Sequence, residues 1–219
     1  VKVRLMDINL LDILARPDMA GLRREFNLRS FPTGSRPFAP PQSENAVFVV
    51  ASGRARLYLS FEERVFTLSY LEPGDIYSTH TRAEIEVVED LRLLVLPTER
   101  FRELIVAHPD LTRTMVRVLG DVLQSSFGII NSLAFKDIPR RVVEFLHFEA
   151  VAHGEKRPEG RLVRLSVNTE QLAQIVGATR QTVSETLSRL YRQNLVRRLR
   201  RGVYLIPDLT ALKNFAAER

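Results

Sequence analysis

The chain has 219 residues, enough for one large or two ordinary domains, and 45% of them are hydrophobic, ample for conventional cores. No run approaches the roughly 18 consecutive apolar residues of a membrane span, and the N-terminus has neither an apolar signal core nor a small-residue cleavage site, so a soluble, cytoplasmic protein with no membrane partner is expected. Cysteine is absent, which excludes disulfides, thiolate metal sites, cysteine nucleophiles and cysteine-ligated iron–sulfur clusters.

The net charge of +6 is unevenly spread: residues 1–136 balance 17 Lys and Arg against 17 Asp and Glu, whereas 137–219 hold 15 against 9. Within the basic part, Arg180, Arg189, Arg192, Arg197, Arg198, Arg200 and Arg201 have only Glu185 as a local acid. Such a surface suits phosphates, although charge alone is equally compatible with a solvated basic face.

In chain order, residues 5–26 read as a short amphipathic helical lead-in, with Leu10, Leu11, Leu14, Leu22 and Phe26 at helical spacings and a break at Pro17-Asp18. Residues 31–41 are too rich in Pro and Gly for a regular element. Short runs enriched in Val, Tyr and Phe follow: Ala46–Ala51, Arg54–Ser60, Arg64–Leu71, Ile85–Val88 and Leu91–Leu96. Turn signals separate them at Ser52-Gly53, Glu62-Glu63, Pro73-Gly74-Asp75 and Glu89-Asp90, which together describe a small antiparallel β-roll.

From Thr98 the period becomes helical, and Pro109-Asp110 opens a segment that runs to about Phe135 without proline. Val116, Leu119, Leu123, Ser126, Ile130 and Leu133 occupy successive a and d positions of a heptad, all apolar except Ser126. A narrow stripe on so long a helix suits a partner helix, the alternative being packing against its own roll. Asp137-Ile138-Pro139 ends the pattern. The expected organisation is α+β: a roll over 1–108, a long helix suited to dimerisation over 109–136 and a basic C-terminal domain over 137–219.

Residues 168–193 have the grammar of a helix-turn-helix. Asn168 and Gln171 form a capping pair, Leu172, Ile175 and Val176 an inner face, Ala173 a small crossing point and Gly177 a left-handed turn residue. Thr179 caps a second helix whose buried stripe is Val183, Leu187 and Leu190. Arg180, Gln181, Ser184, Glu185, Ser188 and Arg189 are left pointing outward. Arg pairs with guanine, Gln with adenine and Glu with the cytosine amine, so Arg180, Gln181, Ser184 and Glu185 are expected at base edges of double-stranded DNA, with Ser188, Arg189 and Arg192 nearer the backbone. Arg197–Tyr204, with Gly202 at its centre, reads as a hairpin wing.

The segment Val176-Gly177-Ala178-Thr179-Arg180-Gln181-Thr182-Val183-Ser184-Glu185 closely resembles the DNA-reading segment of the Crp/Fnr superfamily. Val49-x-x-x-Gly53-x-x-x-x-Tyr58 and Leu71-x-x-Gly74-Asp75 fit its roll, which is of the cyclic-nucleotide-binding-domain type. The resemblance implies a homodimeric winged helix-turn-helix transcription activator that contacts RNA polymerase. The cyclic AMP receptor of that superfamily carries Arg where this chain has Glu185, so a different operator is implied.

Cyclic-nucleotide-binding members follow the Gly-Asp turn with Gly-Glu-Leu and a short helix that cradles the phosphate. This chain has Gly74-Asp-Ile-Tyr-Ser-Thr-His-Thr-Arg-Ala-Glu-Ile85 instead, which argues against a cyclic nucleotide. What remains is similar to the CooA proteins, the haem-containing carbon monoxide sensors of the superfamily, through Ala46–Leu59, Ile76–Arg82, Val118-Leu-Gly120 and Phe135–Ile138.

That similarity implies one haem b per subunit, with His80 as an axial ligand and the N-terminal amine of the partner subunit, here that of Val1, as the other. It implies further that carbon monoxide displaces the amine and that Val116, Leu119, Gly120 and Leu123 of the long helix pack over the bound gas. Imidazole suits ferrous iron, and an α-amine with an ordinary pKa of about 8 can lose its proton at iron. Some CooA proteins have Cys at the position of Ser78. With serine there, His80 and the amine are expected to serve in both oxidation states. The alternative is a roll that binds a different, non-haem effector, with His80 structural. Because no nucleophile elbow, phosphate loop or paired-carboxylate pattern stands on a convincing scaffold, an enzyme is not expected.

Overall fold

The computed structural model describes residues 8–39, 44–81 and 83–215, and Val1 lies outside them. The chain divides into two compact units, the first ending at Ser126 and the second beginning at Phe127.

The first unit opens with α1 (Leu10–Leu14), a 3₁₀ turn (Pro17–Met19) and α2 (Ala20–Glu25). Leu10, Leu14, Met19 and Leu22 turn inward onto the sheet. That sheet consists of β1 (Asn27–Phe31), β2 (Ala46–Phe61), β3 (Arg64–Leu71), β4 (Ile76–Ser78) and β5 (Glu84–Pro97), and every pairing is antiparallel. The order is β1-β5-β2-β3, with β4 also on β2. Phe48, Leu57, Leu71, Leu91 and Leu93 form the centre of the core.

Two of the expected turns are absent as turns. β2 runs unbroken through Ser52-Gly53, and β5 through Glu89-Asp90. These two turn-like pairs face each other across the ladder, where Arg54 pairs with Glu89 and the register shifts repeatedly between Val50 and Ala55. Turn chemistry here makes a bulge that bends a long two-stranded ribbon without ending it. Gly53 sits at φ 82°, and a Cβ there would lie 2.1 Å from the Asp90 carbonyl oxygen.

The loop after β1 brings Phe38 onto the roll: its ring stacks on Phe48 at 5.4 Å and meets Phe31 at 6.0 Å, and Phe48 in turn contacts Tyr77 at 6.1 Å. The Gly74-Asp75 turn is tied on both sides, since Gly74 N–H donates to Val50 O and Val50 N–H to Asp75 O, both at 2.9 Å. Leu10 N–H donates to Gly74 O at 2.8 Å, which docks α1 on the same turn.

After β5 come α3 (Thr98–Ala107) and α4 (Pro109–Phe135). α4 is apolar on two sides. Leu111 and Val118 are buried in the roll's core with Met115 and Val122 half-buried beside them. Val116, Leu119, Leu123, Phe127 and Ile130 are each more than half exposed, at 65%, 62%, 56%, 64% and 59%. Self-packing therefore uses a stripe different from the heptad seam. Among the described residues α4 is also the one helix long and apolar enough to cross a membrane. Its buried Leu111 and Val118, and the charges of Arg113, Arg117 and Asp121, suit a protein surface better than lipid.

The second unit holds α5 (Ile138–Ala152), β6 (Glu155–Arg157), β7 (Gly160–Arg164), α6 (Thr169–Val176), α7 (Arg180–Arg192), β8 (Arg197–Arg200), β9 (Val203–Ile206) and α8 (Leu209–Phe215). Asp137 starts α5 by accepting from Arg140 N–H at 2.9 Å, and Pro139 stands in the first turn. A four-stranded sheet, β6-β7-β9-β8, flanks the helices, with β8 and β9 forming the expected wing. Val143, Phe145, Leu146, Val183, Leu190, Val196 and Leu212 fill this core.

Gly53→Ala is expected to lower stability by about 1–3 kcal/mol, because a side chain must be placed both at positive φ and against backbone. Urea unfolding measures this; an unchanged midpoint would mean that the ribbon can straighten without loss.

Candidate DNA-binding surface and sensor turn

Local hydrogen bonds build the helix-turn-helix. Asn168 Oδ1 accepts from Gln171 N–H and Gln171 Oε1 from Asn168 N–H, each at 2.9 Å, closing a capping box at the start of α6. Gly177, at φ 65° and ψ 51°, ends α6 in the left-handed region, and Ala178 N–H returns to Ala173 O at 2.9 Å. Thr179 Oγ1 then accepts from Thr182 N–H at 3.2 Å to open α7. Val183, Leu187 and Leu190 are buried as expected.

One further clamp has no counterpart in the local sequence pattern. Arg141 on α5 is buried, and its Nη1 donates to the carbonyls of Val176 and Gly177, the last residue of α6 and the turn glycine. These carbonyls would otherwise be orphaned at a helix end. Burial pushes the Arg141 pKa down, with Asp137 opposing the shift. The guanidinium thus ties α5 to the turn that sets α7's direction.

Arg180, Gln181, Ser184, Glu185 and Ser188 are exposed along α7. Gln181 Nε2 donates to Glu185 Oε1 at 3.0 Å. Ser188 Oγ donates to Ser184 O at 2.8 Å, so its proton is used within the helix. Arg189 is half-buried and lies over the Phe215 ring at 5.2 Å, which draws it toward α8.

An open groove of about 630 Å³ lies between the start of α6, α7 and the wing. Arg180, Arg198 and Arg201 line it, with Tyr191 and Tyr204 among its walls. Burial pushes the Tyr191 hydroxyl up to about 12, aided by Tyr204, so it remains a donor at neutral pH. Three cations against the single carboxylate of Glu170 leave this concave surface net positive, which suits a polyanion.

In the first unit, His80 lies in a 3₁₀ turn (Thr79–Thr81) directly after β4 and is exposed. Thr79 fastens the turn to the start of β2: its Oγ1 donates to Glu44 O at 2.6 Å and accepts from Ala46 N–H at 3.0 Å. Tyr77, braced on Phe48, has its hydroxyl 2.7 Å from Thr81 Oγ1. His80 Nδ1 is 2.6 Å from Ser78 Oγ, and that hydroxyl is 3.4 Å from Ala46 O. With Nδ1 engaged, Nε2 is the nitrogen left for a metal, the usual arrangement of a histidine ligand with an outer hydrogen bond.

Among the described residues no group of three or more His, Cys, Asp or Glu is placed to hold a bare metal ion. A single oriented imidazole does fit a haem, whose macrocycle brings four of the iron's ligands. His108 ends α3, His147 lies within α5 and His153 caps α5, none beside the His80 turn in sequence. Gly120 has open space where a Cβ would stand, on the α4 stretch that also exposes Val116, Leu119 and Leu123.

Residues 140–215 match the Crp-like helix-turn-helix domain family. A CooA mutant from Carboxydothermus hydrogenoformans is 40% identical, covering 98% of this chain and 99% of that one with a TM-score of 0.87. The reduced (FeII) CO-sensing protein from R. rubrum is 31% identical, covering 94% and 98%, with a TM-score of 0.55. The CRP-like cAMP-activated global transcriptional regulator of Mycobacterium tuberculosis is 23% identical over 178 residues, 78% of this chain and 80% of its own length.

Arg141→Met keeps the apolar stem and removes the guanidinium. Leaving two helix-end carbonyls without their donor is expected to cost about 1–3 kcal/mol, read from urea unfolding. A midpoint equal to that of the unsubstituted protein would show that the turn holds itself.

Proposed function

The chain belongs to the CooA family within the Crp/Fnr superfamily of DNA-binding regulators, and from that premise we propose that it is a haem-dependent carbon monoxide sensor that activates transcription as a homodimer on palindromic DNA. The observation that carries the sensing part is the His80 turn: one exposed imidazole, held through Nδ1 by Ser78, in a chain 40% identical to a CooA protein over nearly its whole length.

His80 would hold haem b, one per subunit, together with the N-terminal amine of the other subunit, and the haem would supply an iron for which carbon monoxide competes with that amine. Ser78 and Thr79 keep the imidazole aimed. Val116, Leu119, Gly120 and Leu123 offer an apolar surface for the gas-bound arrangement, with room at Gly120 for close approach. The two conformations exchange population, and the effector acts only through its differential affinity for them.

At the output end, the exposed α4 stripe packs against that of a second copy, which presents two α7 helices to half-sites about one helical turn apart. Arg180, Gln181, Ser184 and Glu185 face base edges, while Arg198 and Arg201 take phosphates. Arg189 must leave Phe215 to reach a phosphate, and Ser188 must release Ser184 O before its hydroxyl can donate to one. The bound dimer then recruits RNA polymerase in the cytoplasm.

Freshly purified protein, reduced and then exposed to carbon monoxide, is expected to give a six-coordinate ferrous haem spectrum that shifts with the gas. His80→Ala should lose that spectrum. Protein that stays colourless after haem reconstitution would overturn the sensor reading and leave a regulator with a non-haem effector.

A further inference from the structure

Glutamine alone is an ambivalent reader of DNA. Its carbonyl can accept from an exocyclic base amine, or the side chain can turn over and donate to a base carbonyl. In α7 the ambiguity is removed. Gln181 Nε2 donates to Glu185 Oε1 at 3.0 Å, one helical turn away, so the amide nitrogen is drawn toward Glu185 and the carbonyl is left facing outward. Glu185 can only accept while ionised, and its second oxygen remains available.

The charge environment points the same way. Glu185 is the one acid between Arg180 and Arg201 in the chain, with Glu170 of α6 the other carboxylate beside these arginines, and among the described residues Glu185 makes no ion pair with any of them. A carboxylate on a face that meets phosphates lowers affinity unless it finds a donor there. Major-groove donors on bases are the N4 amine of cytosine and the N6 amine of adenine. Gln181 and Glu185 therefore present acceptors side by side, next to the donor-only guanidinium of Arg180.

We propose that Gln181 and Glu185 act as one coupled acceptor pair that takes the free N–H of a base whose exocyclic amine lies in the major groove, adenine or cytosine, and rejects the major-groove keto edges of guanine and thymine at the same place. This rests on the reading of α7 as the DNA-reading helix. In the major groove every base pair presents one amino and one keto edge, so the pair reads which strand carries the amine. It separates A·T from T·A and C·G from G·C while tolerating exchange of adenine for cytosine. Arg180 independently requires a guanine.

The test is selection of binding sites from a randomised duplex library with the full-length protein, reduced, with and without carbon monoxide, followed by gel-shift titration of the selected sites. Sites taken by the unsubstituted protein should contain, in each half, a guanine and a neighbouring position restricted to adenine or cytosine on one strand. Swapping the strands at that position should weaken binding on the order of tenfold. Glu185→Gln keeps shape but frees Gln181 to turn over; it should abolish that strand preference while leaving the guanine, and the urea midpoint, unchanged. Arg180→Ala should do the opposite, losing the guanine and keeping the amino preference.

A Glu185→Gln protein with the original preference would mean that the Gln181–Glu185 hydrogen bond is only a solvated helix pair, and would overturn the inference. So would a keto base, or no preference, in the sites of the unsubstituted protein. Enrichment of no DNA at all would instead bring down the DNA-reading role of α7, and the inference with it.

Discussion

Helix α4 has apolar residues on two sides, and a single roll can cover only one of them. Leu111 and Val118 are buried in the first unit's core, while Val116, Leu119, Leu123, Phe127 and Ile130 stand in the open. Burying a leucine of that kind is worth roughly 1.5–3 kcal/mol, so the open stripe is a large unused driving force. A second copy offers the same stripe, and two-fold pairing of identical helices is the simplest way for a homodimer to bury it. The helix also continues from the first compact unit into the second. Whatever alters its surroundings near Gly120 is thus continuous in backbone with the DNA-reading unit.

The roll positions the His80 turn through a few fixed points. The bulge at Gly53 bends the β2–β5 ribbon, Gly74 and Asp75 tie the next turn to Val50, and β4 leaves that turn to deliver Ser78 and His80. Phe38 stacks on Phe48, which meets Tyr77 of β4 at a tilt. His80 itself is exposed, but the backbone that carries it is pinned by Thr79 and its ring by Ser78. An exposed imidazole on a well-braced turn is suited to a large planar group that approaches from outside the core.

The helix-turn-helix could be read from sequence because its determinants are local. Asn168 and Gln171, Gly177, and Thr179 with Thr182 each act within one turn of helix, so spacing suffices. The clamp from Arg141 could not be read, since its carbonyl partners are 35 and 36 residues away and an arginine in a helix normally signals surface. The β6–β7 hairpin was silent because Glu155, Lys156 and Arg157 are all exposed and show no alternation. Ser52-Gly53 and Glu89-Asp90 look like chain reversals because a bulge and a turn need the same residue chemistry. Only their opposition across the ladder distinguishes the two. The i, i+4 spacing of Gln181 and Glu185 was visible, but not which end of the amide faces the carboxylate.

The account depends most on the open face of α4 being a two-fold contact between copies. Sedimentation equilibrium of the full-length chain and of a Leu119→Lys, Leu123→Lys variant tests this directly. A dimer that becomes monomeric in the variant, with folded circular dichroism retained, is the result expected. A monomeric unsubstituted protein, or a variant that stays dimeric, would contradict it.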